Sequence, residues 1–376
     1  FNIFIILPFK ESLNQNFAGA VSIYVQDTVK YSIYKKNIKI ISSDGKNNSI
    51  FKNKNYILDF CNKYNKQEID IIEIHNRPEY VKYIKKYFPK TKIILTIHND
   101  PLTLRGSIKL KEREFLLNEC TKIIFISRWV QNRYFSSFTN SNFINTEIIY
   151  NGIKKINKKF SKKKNILFVG KLNHAKGYSI YVDAAKKFKK YDKTWNFIAI
   201  GNEPRKKIFP DRAIVKELGY KTNQEILKYY GNSEIAVGNS VWEEPFGRIA
   251  LEASSRKCLP IISNIAGLTE SKKIGYVLKE NNSNELFKIL KKLTNSTLLR
   301  RKLQDEYFNN NKFDIKKTSN SIDIIRTNAI NKNLKKKSSK NLRILHIANF
   351  NELSDGRLFY SFANKLNNGF IKDNHI

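Results

Sequence analysis

Short, isoleucine-rich apolar runs alternate with polar stretches along most of this chain. Residues 2–8, 38–42, 69–75, 92–98, 121–127 and 146–150 read as six strands. Residues 17–34, 57–65 and 80–87 lie between them and read as helices. The rhythm restarts after 151: a strand at 166–169, a helix at 178–188 and a second strand ending at 200. A short strand at 215–218 and a helix at 223–230 follow, with Thr222 placed to cap that helix and Glu225 three positions on. Then come a strand at 235–238, a helix at 248–255 and a strand with its glycine loop at 259–270. A late strand at 274–278 precedes amphipathic helices at 284–294 and 298–308. The strand runs are continuously apolar. They are therefore expected to be buried on both faces, in parallel sheets covered by helices. The fold class is α/β, with two Rossmann-like halves.

The expected domains are 1–152 and 165–330, joined by a linker at 153–164 that is rich in Lys and Asn and has no apolar periodicity. A terminal helix at 318–329 is placed to cross back to the first domain. Residues 331–341 read as a basic linker, and 342–376 repeat the opening order of strand, loop and helix. That last segment is expected to begin a further Rossmann-like domain, since it is too short for a core of its own. The chain has no Met, so Phe1 is not expected to be a natural start. Its opening FNIFIILPF is too short for a secretory leader. No apolar run approaches the roughly twenty residues of a membrane helix.

Charge changes the picture less than its size suggests. The chain carries 69 basic and 33 acidic residues, a formal net charge of +36. Only 14 of the basic residues are Arg, and Asn and Ile are also abundant. A reader of nucleic-acid sequence favours Arg for bidentate contacts, so no specific nucleic-acid partner is expected. An anionic membrane surface is an expected partner, reached through a basic patch. Cys61, Cys120 and Cys258 show no paired spacing and fit a reducing compartment. The five His form no ligand cluster, and no metal is expected.

The chemistry concentrates in two segments. In EPFGRIALEAS, Glu244 and Glu252 bracket a loop and the first turns of a helix, with Pro245, Phe246, Gly247, Arg248 and Ile249 between them. A helix start offers unpaired amides to a phosphate, and carboxylates on either side can accept sugar hydroxyls. On spacing alone both are ordinary solvated groups, but Glu252 stands between Leu251 and Ala253, a costly place without a partner. The second segment is VGKLNHAKG, where Gly170 ends a strand and Lys171 and Lys176 sit in the loop at its carboxyl end. Open α/β sheets bind ligands there, and two ammonium groups could neutralise a diphosphate. Further candidates are Gly19 at the first strand–helix turn, Gly201 after the strand ending at 200, and the strand-end residues His98, Asn99, Asp100 and Arg128.

The pair VGKLNHAKG and EEPFGRIALE, with LPIISNIAGLTE downstream, resembles retaining GT-B-fold glycosyltransferases of the family-four type, the group 1 glycosyl transferases. The resemblance implies two Rossmann-like domains whose parallel sheets face each other across a cleft. It implies that Glu244 holds donor-sugar hydroxyls, Glu252 the ribose, and Lys171 and Lys176 the diphosphate. Phe246, Gly247 and Arg248 would present the helix start, and His98 would approach the transferred sugar. Asn99, Asp100 and Arg128 fall on the acceptor side. The chain departs from the family pattern at Lys171, where Arg is usual, at Ala175, where an acid is common, and at Lys257-Cys258. No two aspartates stand two apart, so an Asp-x-Asp metal site is not expected. The implied activity is metal-independent transfer, with retention, from a nucleotide-diphosphate sugar, a co-substrate rather than a bound cofactor. The implied acceptor is a glycan or a lipid-linked molecule in envelope polysaccharide or lipopolysaccharide synthesis. The implied location is the cytoplasm, peripheral at the inner membrane face. The rival readings are an inactive binding or scaffold paralogue and a basic anion- or nucleic-acid-binding protein.

Overall fold

A computed structural model describes residues 1–334 apart from 15, 44–54, 140–143, 206 and 311. Phe1–Arg326 form one compact unit and Thr327–Ile376 another. The expected segment 342–376, and all of the basic linker beyond 334, lie outside the described residues.

The first sheet is parallel throughout, in the order β2 (Ile38–Ile41), β1 (Ile3–Ile6), β3 (Ile71–His75), β4 (Lys92–Ile97), β5 (Lys122–Phe125), β6 (Thr146–Ile148). Its central strands IFII and IIEIH are buried at every position, as continuous apolar runs require between two helical layers. Helices α1 (Ala20–Tyr31), α2 (Tyr56–Tyr64), α3 (Tyr80–Tyr87), α4 (Leu110–Glu119) and α5 (Arg128–Tyr134) connect the strands. Phe4, Phe60 and Tyr64 pack edge-on or tilted, with centroids 5.0–5.8 Å apart, and fix α2 on the sheet.

The second sheet is also parallel, in the order β12 (Tyr276–Val277), β11 (Leu259–Ile262), β10 (Ser233–Gly238), β7 (Lys163–Val169), β8 (Asn196–Ile200), β9 (Lys216–Glu217). Its direction of growth reverses between β7 and β10. In a doubly wound sheet that reversal opens a crevice at the carboxyl ends of the two strands. Helices α6 (Tyr178–Tyr191), α7 (Asn223–Asn232), α8 (Ile249–Ser254), α9 (Ser283–Asn295) and α10 (Thr297–Asn309) complete this half. The Thr222–Glu225 capping box of α7 forms as its spacing predicts.

Two helices escape the sequence pattern. α4 buries Arg113 together with Leu116 and Leu117 and exposes Leu110 and Phe115, so its polarity is mixed. α5 has only 7 residues. The expected linker is pinned rather than loose. Ile153 donates its N–H to Phe313 O at 2.9 Å, and β7 already begins at Lys163. The half-buried Lys162 ammonium donates to the carbonyls of Tyr230, Ser233 and Arg256 at 2.8–3.0 Å.

The last helix, α11 (Ile315–Leu334), starts beyond the second sheet and packs on the first. Arg326 makes a bidentate pair with Glu73 of β3 at 2.5 and 2.8 Å, and also donates to Asp323 at 2.9 Å. Asp323 accepts from Ser32 Oγ at 2.7 Å, and Ser319 Oγ donates to Thr28 O at 2.8 Å. Arg326 and Glu73 are both buried. Removing one member of such a pair strands the other charge in a low-dielectric interior. Arg326→Ala is therefore expected to cost about 3–5 kcal/mol of unfolding free energy. A urea denaturation curve measures it, and a change below about 1 kcal/mol would show that the pair is solvated.

Candidate functional site

The crevice at the β7–β10 reversal is built by close backbone packing. β7 ends at Gly170, whose N–H donates to Ile200 O at 3.0 Å. Asn173 then caps a single 3-10 turn, His174–Lys176, by accepting from the Lys176 N–H at 3.1 Å. Gly177 follows with φ +76°, and a Cβ there would stand 1.9 Å from Asn239 O. Asn239 Nδ2 donates to Gly177 O at 2.9 Å, and the N–H groups of Val241 and Trp242 both donate to Ala175 O at 2.9 Å. The loop after β7 is thereby stapled to the loop after β10.

The staple brings Lys176 onto Glu244, and the two side chains form an ion pair. Glu244 is held from behind, because its carbonyl accepts the Gly267 N–H at 2.8 Å. A Cβ at Gly267 would meet Pro245 O at 1.9 Å, so only glycine lets this loop approach. Pro245 O accepts from Ser127 Oγ of the first half at 2.5 Å. Phe246 is buried between Tyr150 and Phe313, with centroids 6.0 and 5.7 Å away. Gly247 turns at φ +77° into Arg248 and α8. Glu252 is buried, and its Oε1 accepts from Arg248 Nε at 3.0 Å and from Asn223 Nδ2 at 3.2 Å. Arg248 also lies 4.0 Å from Asp27 of α1, across the two halves.

One cavity of about 170 Å³ gathers these groups. Gly170, Lys176, Glu244, Gly247, Arg248, Ile249 and Glu252 all line it, together with Tyr230 and Ser240. Burial, and then the Glu252 charge, raise the Tyr230 phenol, whose oxygen is buried without a hydrogen-bond partner among the described residues. Lys171 is exposed and does not line the cavity. Gly201 stands beside it in the fold, its would-be Cβ 1.8 Å from Gly170 O.

The first half contributes a histidine pair. His75 Nδ1 and His98 Nε2 are 3.0 Å apart, both rings are buried, and one must donate to the other. Burial and then the Arg326 charge push His75 down to about 3. Burial, His75 and Arg248 hold His98 well below its ordinary value. Both imidazoles are therefore neutral. Asn76, at φ +55°, accepts the N–H groups of His98 and Asn99 at 3.2 and 3.0 Å and fixes the strand end. Asp100 is occupied elsewhere: it caps Leu102 N–H at 3.1 Å and takes a bidentate grip from Arg133, closest at 2.7 Å. The backbone N–H of Arg128 donates to Glu270 at 3.0 Å and that of Trp129 at 2.8 Å. Glu270 thus clasps the start of α5 from the second half, and burial followed by this carboxylate pushes Tyr150 up to about 12. Gly19 opens α1 against Glu11, whose carboxylate would lie 2.6 Å from a Cβ there.

Sequence reasoning missed His75 as a partner of His98, and missed Asn76, Asn223, Tyr230 and the Glu270 clasp. Polar residues at carboxyl strand ends were the available signal for His75 and Asn76. Nothing local marked the other three.

Residues 151–310 match the family model described as Glycosyl transferases group 1. The chain is 24% identical over 251 residues to spore coat protein SA of Bacillus subtilis, covering 57% of this chain and 66% of that protein. It is 28% identical over 135 residues to an uncharacterized 42.6 kDa protein in the cps region of Klebsiella pneumoniae, covering 34% of each. The chain thus spans less than two thirds of the length of these curated relatives. The crystal structure of HepE from Anabaena in complex with UDP-glucose superposes with a TM-score of 0.65 at 14% identity, over 87% of this chain and 99% of that one. The architecture is the GT-B fold of two parallel α/β sheets.

The neutral histidine pair has a pH signature. Both rings bind protons far more readily when unfolded, near the ordinary value of 6.5. Their contribution to stability is complete above about pH 6.5 and is lost as pH falls toward 3, at up to about 1.4 kcal/mol per pH unit for each ring. The unfolding free energy of His75→Asn should fall less steeply than the parent's between pH 6.5 and 5. Equal slopes in urea titrations would show that His75 is protonated in the folded state.

Proposed function

We propose that this protein is a glycosyltransferase that moves a sugar from a nucleotide-diphosphate sugar to a glycan or a lipid-linked acceptor, with retention of anomeric configuration. The observation that carries the reading is the gathering of Lys176, Glu244, Arg248 and Glu252 around one cavity at the chain reversal of the second sheet. Two cations and two carboxylates in alternation suit a ligand with an anionic centre and hydroxyl-bearing ends. The match of residues 151–310 to the group 1 glycosyl transferase model and the likeness to the fold of HepE, solved with UDP-glucose, support it.

In this mechanism the Lys176 ammonium leaves its pairing with Glu244 to meet the diphosphate, joined by Arg248. Glu244 is freed to accept hydrogen bonds from donor-sugar hydroxyls, and Glu252 takes the ribose. Lys171, at the exposed edge, adds long-range attraction for the diphosphate. The acceptor hydroxyl oxygen bonds to the anomeric carbon as the bond from that carbon to the diphosphate oxygen breaks. Its proton passes to the departing phosphate oxygen on the same face. The neutral imidazole of His98 orients a hydroxyl of the transferred sugar. The protein supplies charge stabilisation and positioning, with no covalent adduct to a side chain. Asn99 and Arg128 stand on the acceptor side, whereas Asp100, engaged by Arg133, serves to shape that wall.

Envelope polysaccharide or lipopolysaccharide synthesis in the cytoplasm, at the inner membrane face, is the setting we infer. The cps-region relative supports it. Among the described residues no helix is long and apolar enough to cross a membrane.

Thermal shift against a panel of nucleotide-diphosphate sugars should reveal one stabilising donor, and Lys176→Ala should abolish that shift. With that donor, Glu244→Gln is expected to lower kcat by about a hundredfold or more, the scale of losing one charge-positioned contact in a transition state. Product anomer analysis reads retention. No stabilising donor, or an unchanged kcat in Glu244→Gln, would overturn the assignment.

A further inference from the structure

The first half carries an apolar ridge that its fold does not use. Ile108, Leu110 and Phe115 are 50%, 36% and 39% exposed, three large apolar side chains within one loop–helix segment. The ridge is held outward rather than frayed. Arg113 of α4 is buried and donates to the carbonyls of Ser107 and Ile108 at 3.3 and 2.9 Å, which fixes the loop entering the helix. Gly106, at φ +83°, lets that loop lie on α3, since a Cβ there would stand 2.5 Å from Glu79 N.

Between the ridge and α3 runs a groove of about 500 Å³ lined by Ile108 and Phe115 together with Lys82, Arg105, Lys109 and Lys111. All four basic residues are exposed. Two carboxylates share the lining, Glu79 and Glu112. Glu112 is already committed to the Lys109 N–H at 2.9 Å, as part of the α4 cap. The face is therefore apolar at its crest and cationic at its flanks. Apolar side chains seated among exposed lysines match the boundary between acyl chains and phosphate headgroups.

We infer that the 105–115 face docks this protein on an anionic lipid bilayer, with Ile108, Leu110 and Phe115 entering the interface and the flanking Lys and Arg meeting lipid phosphates. The inference rests on the reading above only for what docking accomplishes, which is to hold a membrane-borne acceptor beside the first half. A second, polar groove of about 290 Å³ shares Pro78, Glu79 and Arg105 with the first and runs to Asn76 and Arg77, at the carboxyl end of β3 beside the histidine pair. A head group borne by the membrane at the ridge thus lies next to a polar groove that reaches the carboxyl end of β3.

Flotation with phosphatidylglycerol–phosphatidylcholine vesicles, against phosphatidylcholine alone, tests the docking face. The full chain should float with the anionic vesicles and not with the neutral ones. Ile108→Ser/Phe115→Ser and Lys109→Glu/Lys111→Glu should each weaken partitioning by about tenfold or more, while the charge-matched control Lys190→Glu/Lys193→Glu, on the second half, stays within about twofold of the parent. Patch variants that float like the parent, or a control that loses as much as they do, would overturn the inference, the latter by assigning binding to net charge alone. Failure of the parent to float, or equal flotation with neutral vesicles, would overturn it as well. Thermal shift with the nucleotide sugar, unchanged in the patch variants, confirms their folding and separates this result from a failure of the proposed activity.

Discussion

The close approach of the loop after β7 to the loop after β10 is the constraint on which the site depends. Glycine at 177 and at 267 lets backbone carbonyls stand where any side chain would collide. Four hydrogen bonds from the β10 loop into residues 175–177 then lock the arrangement. Without that contact Lys176 would be one more solvated lysine in a chain with 69 basic residues. With it, an ammonium is held against a carboxylate at the point where a doubly wound sheet already opens a crevice. The pair is pre-organised at a half-buried position, so its energy is a matter of exchange. A phosphate group can take the cation as sugar hydroxyls take the acid.

The first half is held together for a different reason. Several of its ionisable groups, Glu73, His75 and His98 among them, are buried and can stay so only with partners. Glu73 is answered by Arg326 from the last helix, which returns from the second half to make that bond. His75 and His98 answer each other by shedding charge. The same halves are joined by the Glu270 clasp on α5 and by Ser127 on the Pro245 carbonyl, one residue from Glu244. The loop that carries Glu244 is therefore tied to the first half of the molecule. A shift between the halves would be felt directly at the crevice.

Of the twelve positions expected to hold the donor, the structure brings seven to the lining of one cavity and leaves Gly19, Lys171, Gly201, Pro245 and Phe246 off it. Glu252 shows both the strength and the limit of local reading. Its apolar neighbours signalled a carboxylate in need of a partner, and it has one in Arg248, four residues on the helical turn behind it, together with Asn223 from a distant helix. The i, i+4 partner was legible and the distant one was not.

Strand positions along the chain, the Thr222 cap and the two chemistry-bearing loops follow from periodicity and residue type, because burial on both faces and amide capping are local demands that every chain must meet. α4 was hidden because its apolar residues divide between the core, at Leu116 and Leu117, and the surface, at Leu110 and Phe115, while its arginine points inward. That division makes sense only once α3 and the loop at 105–108 stand beside it. The pairing of His75 with His98, the grip of Arg133 on Asp100 and the clasp of Glu270 on α5 join residues 23, 33 and 141–142 positions apart. Sequence alone decided which groups would be present. Only the folded chain, by choosing which strand ends meet, decided which of them would be neutral, which paired, and which left facing the crevice.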